Sequence, residues 1–495
     1  MNLAAALAQT IDRLPSKTAV FWGDESFSYR HFGLQAGWVA RQLIEVHGVR
    51  PGDRVGVWLK NRPEFISVLL GVLESGAVVV PINNFLKPEE VKHILTDAGI
   101  QVLISEEGMD AAVDVLRKGL PGLVDFHVET IPNESALGHD LMMSGKTQRG
   151  REELAVIIYT SGTTGKPKGA MLTHGNLLHN VESCRQMLEA VDGDRFVVLL
   201  PMFHSFMLCV GLLLPLIIGG SIVLIRSVHP PKNILHEIIR HQATLLPAIP
   251  QLFRALTAGY EGQELPLRIC VSGAAPLPQE ILRQFTETLK IPLIEGYGLS
   301  EASPVVSLNP IRGPWKAGSI GVAIPDVEVT VQSDDGRMLG NGEVGEICVR
   351  GGNVMLGYWN KPEETAKSLR DGWLLTGDIG YRDADGYFYI TDRKKDMLLV
   401  NGINVYPREI EEVLYQLPAL KEAAVIGKPD QRKGEQPVAF VVAQEGAHVA
   451  EREILDHLRA NLADYKVPRH VHFLPALPRN ATGKVLKTEL RKLDA

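Results

Sequence analysis

Val55-Gly56-Val57-Trp58-Leu59 opens a stretch whose rhythm decides the fold class, and Val78-Val79-Val80-Pro81 closes it. The first run is short and apolar, as a buried strand is. Residues 63–75 then repeat apolar side chains at helical spacing, and the last run is a strand again. A strand, a helix and a strand in such quick succession predict parallel neighbours with the helix folded across the sheet. The alternation continues outward through Gln101-Val102-Leu103-Ile104, Ala155-Val156-Ile157-Ile158, Phe196-Val197-Val198-Leu199-Leu200 and Arg268-Ile269-Cys270-Val271.

After about residue 318 the texture changes. Val327-Glu328-Val329-Thr330-Val331 and Gly345-Glu346-Ile347-Cys348-Val349-Arg350 alternate and are punctuated by Gly and Asp, which predicts antiparallel strands closing into a small β-barrel over roughly 318–392. The charged cluster Asp392-Arg393-Lys394-Lys395-Asp396 marks the candidate boundary. Beyond it, 407–416 reads as a helix with Pro407 in its first turn, and Ala423-Ala424-Val425-Ile426 and Val438-Ala439-Phe440-Val441-Val442 read as strands. The expected organisation is an N-terminal part, 1–394, and a small α+β domain, 395–495.

The 495 residues are too many for one core of ordinary size, and 45% hydrophobic with 22% charged is the profile of a soluble globular chain. A net charge of -7 argues against a nucleic-acid binder that works through phosphate contacts. The 4 cysteines, Cys184, Cys209, Cys270 and Cys348, form no CxxC pair, so neither a disulfide framework nor a zinc ribbon is expected. Met1-Asn2-Leu3-Ala4 has no basic n-region and Asp12-Arg13 interrupts the apolar run, which makes the cytoplasm the expected setting. Residues 206–225 carry no charge and are long enough to span a bilayer, but Pro215 and Gly219-Gly220 divide them. A buried helix, a turn and a buried strand, Ser221-Ile222-Val223-Leu224-Ile225, are expected instead. Peripheral membrane contact and a homodimer stay open.

Five short motifs carry chemistry. Tyr159-Thr160-Ser161-Gly162-Thr163-Thr164-Gly165-Lys166-Pro167-Lys168-Gly169 follows an apolar strand. Its glycines admit close approach, and its hydroxyls, N–H groups and lysines suit phosphate oxygens. The spacing is not that of a Walker A loop, and a plain surface loop would also be small and polar. Glu295-Gly296-Tyr297-Gly298-Leu299-Ser300-Glu301 offers an aromatic between glycines, able to stack on a purine, and a carboxylate able to hold Mg²⁺; alone it reads equally as a tight strand-to-helix turn. Asp371-Gly372-Trp373-Leu374-Leu375-Thr376-Gly377-Asp378 is either a β-turn or a carboxylate for ribose hydroxyls. Arg393-Lys394-Lys395 and Pro478-Arg479-Asn480-Ala481-Thr482-Gly483-Lys484 each read alone as solvated charge.

Their joint order resembles the core motifs of the adenylate-forming superfamily, which includes acyl-CoA synthetases, nonribosomal adenylation domains and firefly luciferase. The resemblance covers nearly the whole chain and is greatest to fatty acyl-CoA synthetases, through 371–380, 392–396 and Asn401-Gly402-Ile403-Asn404-Val405-Tyr406-Pro407. It implies two αβ subdomains plus a β-barrel followed by a mobile C-terminal domain. It also implies ATP, Mg²⁺ and coenzyme A, and a carboxylic acid activated as its acyl-adenylate and passed to a thiol. The residues expected around ATP are Thr160, Ser161, Gly162, Thr163, Thr164, Gly165, Lys168, Glu295, Gly296, Tyr297, Gly298, Ser300, Asp378 and Arg393. Thr160 and Glu301 are expected at the metal. Lys484 would bridge the acyl carboxylate and the α-phosphate, with Glu301 and His204 as further catalytic groups. Lys395 matches the hinge about which the C-terminal domain rotates. Gly402 and Arg432 would meet CoA.

For the acid, Pro201-Met202-Phe203-His204-Ser205-Phe206 matches the family's segment beside the acyl pocket, and Gly273-Ala274 its opposite wall. No carboxylate stands there to pair with an α-amine, so amino acids are disfavoured. Met207 stands where relatives often have Gly and is expected to narrow the tunnel, favouring medium chains over the longest. A medium- to long-chain fatty acid is the resulting expectation, with an aryl acid or a carrier-protein thiol as alternatives. Other classes fit less well. Gly298-Leu299-Ser300-Glu301-Ala302 lacks the last Gly of GxSxG, and His236 and His241 are one residue too far apart for HExxH. A nucleotide-binding scaffold without activity would not need Lys484, Asp378 and Glu301 together.

Overall fold

The computed structural model describes residues 1–160, 167–401, 403–430, 434–480 and 483–493. Two mainly parallel sheets carry the N-terminal part. The first orders its strands Val124–His127, Val102–Ser105, Arg54–Val57, Val78–Pro81, Leu154–Thr160 and Lys168–Thr173. All neighbours are parallel except the last pair, where Thr160 sits opposite Lys168 in an antiparallel hairpin. The opening stretch of sequence is therefore the centre of this sheet. Pro63 stands in the first turn of the helix Pro63–Glu74, whose residues from Phe65 to Leu73 are all buried.

The second sheet runs Val322–Ala323, Val305–Leu308, Leu293–Gly298, Ile269–Ser272, Leu245–Ala248, Arg195–Val198, Ser221–Leu224, Thr18–Trp22 and Glu25–Ser28. It is parallel from Leu293–Gly298 to Thr18–Trp22 and antiparallel at both edges. One apolar cluster joins the two sheets: Val55, Val79 and Val156 from the first, Phe196, Ile222 and Ile269 from the second, with Phe65, Ile66 and Leu69 of the helix among them. Burial of that surface is the main force holding the sheets together.

The uncharged stretch 206–225 folds as a wide helical turn Met207–Leu213 continuing into Leu214–Ile218, a left-handed Gly219, and the buried strand Ser221–Leu224. Among the described residues no helix is long and apolar enough to cross a membrane. The edge strand Lys168–Thr173 is covered in turn by residues 356–359. Leu356 N–H donates to Met171 O at 3.0 Å, Met171 N–H to Gly357 O at 2.9 Å, and Trp359 N–H to Gly169 O at 2.8 Å.

The alternating strands past residue 318 form a five-stranded antiparallel sheet of Val327–Gln332, Gly345–Gly351, Trp373–Arg382, Leu369–Arg370 and Phe388–Arg393. The charged cluster follows at once. Lys394 reaches back to Asp334 at 2.6 Å and Glu346 at 3.1 Å, whereas Asp396 reaches forward to Arg491 at 2.9 Å. The ties thus change sides at Lys395. Beyond it lies a second five-stranded sheet, Ile403–Val405, Leu398–Val400, Gly434–Ala443, Leu420–Asp430 and Val471–Phe473, with the helices Pro407–Tyr415, Glu451–Asn461 and Lys487–Leu493.

Candidate active site

A cavity of about 920 Å³ is lined by both mainly parallel sheets, the antiparallel sheet and the C-terminal part. Its polar end is built on a cross-strand pair. Asp378 and Arg393 sit opposite each other in the antiparallel ladder, and Arg393 Nε lies 3.2 Å from Asp378 Oδ1. The other carboxylate oxygen accepts from the Tyr297 hydroxyl at 2.5 Å. Burial, then the charge of Asp378, pushes the Tyr297 phenol well above its usual range, so it remains a donor. Three of the five motifs are thereby locked into one constellation.

A second constellation gathers Glu301, Tyr358 and Lys168. Tyr358 donates its hydroxyl to Glu301 Oε1 at 2.8 Å, and Lys168 Nζ stands 5.1 Å from the centre of the Tyr358 ring. Lys168 is also paired with Glu364. Ser300 and Ser205 share a hydroxyl–hydroxyl bond of 3.0 Å, tying the Tyr297 turn to the segment of His204.

Lys484 enters the cavity from the C-terminal part. It is carried on a tight turn: Lys484 N–H donates to Asn480 Oδ1 at 2.9 Å, Asn480 N–H to Lys484 O at 2.9 Å, and Gly483 supplies φ 80°. Burial among protein atoms, then the Arg393 charge, lowers the Lys484 ammonium to about 7. Burial and the Lys484 charge lower His204 to about 4, so its imidazole is neutral at neutral pH. Lys395 also lines the cavity and is lowered by burial and by Arg393. Two lysines lowered by burial within one cavity suit a site that takes anionic ligands.

The opposite end is apolar. Phe203, Phe206, Val210, Val271, Cys184, Leu188, Pro304, Val305 and Leu308 line it. Gly273 lies against Phe206, and a Cβ added there would stand 3.2 Å from the end of the ring.

Of the residues singled out in the sequence, the cavity gathers Thr160, Lys168, His204, Phe206, Gly273, Ala274, Gly296, Tyr297, Gly298, Ser300, Glu301, Asp378, Arg393, Lys395 and Lys484. Ser161, Gly162, Thr163, Thr164, Gly165, Gly402 and Arg432 lie outside the described residues. Two expectations need correction. Met207 is not among the lining residues: it is fully buried, and its sulfur packs over Gly211. The helical pitch turns Phe206 and Val210 to the cavity and Met207 into the core. Glu295 is not among them either. Its Oε1 accepts from Leu277 N–H at 3.0 Å and lies 3.8 Å from Arg408 Nη2. Conversely, Tyr358, Lys367 and Ser368 line the cavity without having been anticipated. Tyr358 is the middle residue of Gly357-Tyr358-Trp359, and a tyrosine directly after glycine, as at Gly296-Tyr297, is the one signal the sequence offers for it.

Residues 7–359 match the model of the AMP-binding enzyme family, and 409–484 match that of the AMP-binding enzyme C-terminal domain. The chain belongs to the AMP-binding enzyme family. It is similar to a long-chain-fatty-acid–CoA ligase of Bacillus subtilis, at 35% identity over 99% of this chain and 94% of that one. A feruloyl-CoA synthase of Amycolatopsis is 36% identical over 97% of this chain and 96% of its own. The solved anthranilate CoA ligase AuaEII, in complex with anthranoyl-AMP, superposes with a TM-score of 0.92 at 30% identity, over 100% of this chain and 97% of that one.

As an AMP-binding enzyme the chain is an ATP-dependent acyl-CoA ligase of the adenylate-forming kind, and it uses ATP, Mg²⁺ and CoA. The residues present fit that set. Among the described residues no group of three His, Cys, Asp or Glu could hold a metal alone. Mg²⁺ that arrives with a triphosphate needs only one or two protein carboxylates, and Glu301 and Thr160, which both line the cavity, are the residues that would hold it. When bound, the ion neutralises charge on the phosphate oxygens.

Proposed function

We propose that this acyl-CoA ligase activates a medium- to long-chain fatty acid as acyl-AMP with release of pyrophosphate, then transfers the acyl group to CoA. The observation that carries the acid class is the set of aliphatic and Phe side chains that line the cavity around Gly273, with Phe203, Phe206, Val210, Val271, Val305 and Leu308 among them. An alkyl chain loses nothing polar there and gains about 0.8 kcal/mol for each methylene buried.

In this reading Lys168 and the loop before it hold the triphosphate, Tyr297 meets adenine, and Asp378 with Arg393 holds ribose. Lys484 lies between the acid carboxylate and the α-phosphate. The two anions repel, and the protonated lysine offsets that repulsion and the charge developing at phosphorus. Neutral His204 beside the carboxylate adds a polar contact without a competing charge. Units 1–394 and 395–495 then change orientation at Lys395, withdrawing Lys484. The CoA thiolate attacks the acyl carbonyl, and AMP leaves with the electron pair of the broken C–O bond. Gly402 and Arg432 are proposed on the CoA side.

The test is pyrophosphate release from ATP with saturated acids of graded length and with ferulate- and anthranilate-type acids, each with and without CoA. Alkyl acids should give the highest kcat/KM, and CoA should sustain turnover. A higher kcat/KM for an aryl acid would replace the fatty-acid reading with the aryl one, which the feruloyl-CoA synthase relative favours. Turnover that CoA fails to sustain would point to a carrier-protein thiol.

A further inference from the structure

Glu295 was expected at the nucleotide because it opens the Glu-Gly-Tyr-Gly motif, yet its side chain serves a different neighbour. It is buried, 6% exposed, and faces Arg408, which is 8% exposed and lies in the first turn of the C-terminal helix Pro407–Tyr415. Arg408 is the point where this helix grips the N-terminal part. Its Nη2 stands 3.8 Å from Glu295 Oε1, its Nη1 donates to Ile390 O at 3.1 Å, and its backbone N–H donates to Asp392 Oδ2 at 3.0 Å. One turn on, Glu412 Oε2 accepts from Gln279 N–H at 3.4 Å, and Glu412 Oε1 lies 3.9 Å from Arg408 Nε. Glu295 itself is fixed by Leu277 N–H.

We propose that Glu295 and Arg408 are positioning residues: their buried pair seats the C-terminal part in the orientation that carries Lys484 into the cavity. Three observations support it. Glu295 lies two residues before Tyr297 on the strand Leu293–Gly298, so the pair ties the C-terminal helix to the strand that holds the nucleotide constellation. Among the described residues the Lys484 side chain makes no hydrogen bond or ion pair to the N-terminal part, so its placement depends on how its whole domain docks. The Glu–Arg ion pair is also a fastening with a fixed place: burial pushes Glu295 up to about 7 and the Arg408 charge opposes that rise, so moving Arg408 away strips a buried guanidinium of its partner. An apolar seam would let the helix slide, whereas this one has a register.

The inference rests on the proposed reading in which adenylation and transfer use different orientations about Lys395. Glu295→Gln keeps the shape and the acceptor for Leu277 N–H while removing the charge. Adenylation, measured as ATP–pyrophosphate exchange, should fall about tenfold, as expected for a coupled pair. Thioester formation from preformed acyl-adenylate and CoA should be unchanged or faster. Arg408→Gln should behave alike, and the double variant should lose no more than either single one. Arg408→Lys should recover part of the exchange rate. Equal loss in both half-reactions, additive losses in the double variant, or an unchanged exchange rate would each overturn the proposal. Lys395→Pro separates the two claims, because a fixed φ resists hinge rotation and should block transfer while sparing exchange. If it does so and Glu295→Gln has no effect, the seating role alone falls. If Lys395→Pro leaves transfer at the wild-type rate, the two-orientation reading falls first.

Discussion

The two ends of the cavity are built on opposite principles. At the polar end the ribose and metal-side groups are bonded in pairs: Tyr297 on Asp378, Asp378 on Arg393, Tyr358 on Glu301. At the apolar end position follows mainly from packing, as Phe206 against Gly273 illustrates. The first end is organised by a few directional contacts, each strong and each removable by one substitution. The second is organised by volume, spread over several elements, and gives way gradually. Changes at the polar end should therefore act on the ATP step for every acid alike. Changes at the apolar end should re-rank acids and leave ATP alone.

The largest effect is expected for Lys484→Ala. Pyrophosphate release should drop by about 10²–10³ for all acids, the usual loss for one contact to developing charge. Thioester formation from preformed acyl-adenylate should persist. A loss that differed strongly between acids would blur the distinction between the ends.

Next is the pH dependence that the same lysine imposes. Lys484 is lowered to about 7, so in the free enzyme it loses its proton as pH rises through that value. Since the charged form is the useful one, kcat/KM for adenylation should fall with rising pH above about 7, up to tenfold per unit. Saturating ATP and acid should move the fall upward, because bound anions favour the ammonium. His204, already neutral above about 4, should add no limb between pH 5 and 8. A rate that climbed through this range would contradict the assignment.

Gly273→Ala probes the apolar end. Its Cβ would press the Phe206 ring from 3.2 Å, so the ring must yield by a few tenths of an ångström. Overpacking of about 1 kcal/mol translates into about a fivefold shift in relative kcat/KM among acids, with the KM for ATP unchanged. A changed ATP dependence would show the ends to be coupled.

The smallest catalytic effect is expected for Met207→Ala. Fully buried and away from the cavity, Met207 should leave the chain-length profile unchanged while the protein loses about 2–5 kcal/mol of stability. A profile that moved toward longer acids at unchanged melting temperature would restore Met207 to the tunnel.

The sequence was most legible where chemistry is local. The αβ rhythm around Pro63–Glu74 and the motifs that bring Tyr297, Asp378 and Arg393 together could be read because spacing within a motif survives folding. Met207 differs from its expected place because a resemblance fixes the position in the chain but not the face of the helix: Phe206 and Val210 share the cavity side, and Met207 turns to the core. Glu295 was misplaced for a different reason. Its partner Arg408 is more than a hundred residues away, and no spacing within the Gly-Tyr-Gly turn announces a contact made across the seam. Cys184 and Leu188, which line the apolar end, lie in and just after a helix that carries no motif at all.

The strap of residues 356–359 has a consequence for how the chain behaves in company. Without it, Lys168–Thr173 would end the six-stranded sheet as a bare row of amides and carbonyls, ready to recruit a strand from another molecule. By bonding along that row, Leu356, Gly357 and Trp359 spend the edge within the chain. A proline in place of Leu356 would delete one of these bonds, and self-association on concentration is the behaviour the strap then no longer prevents.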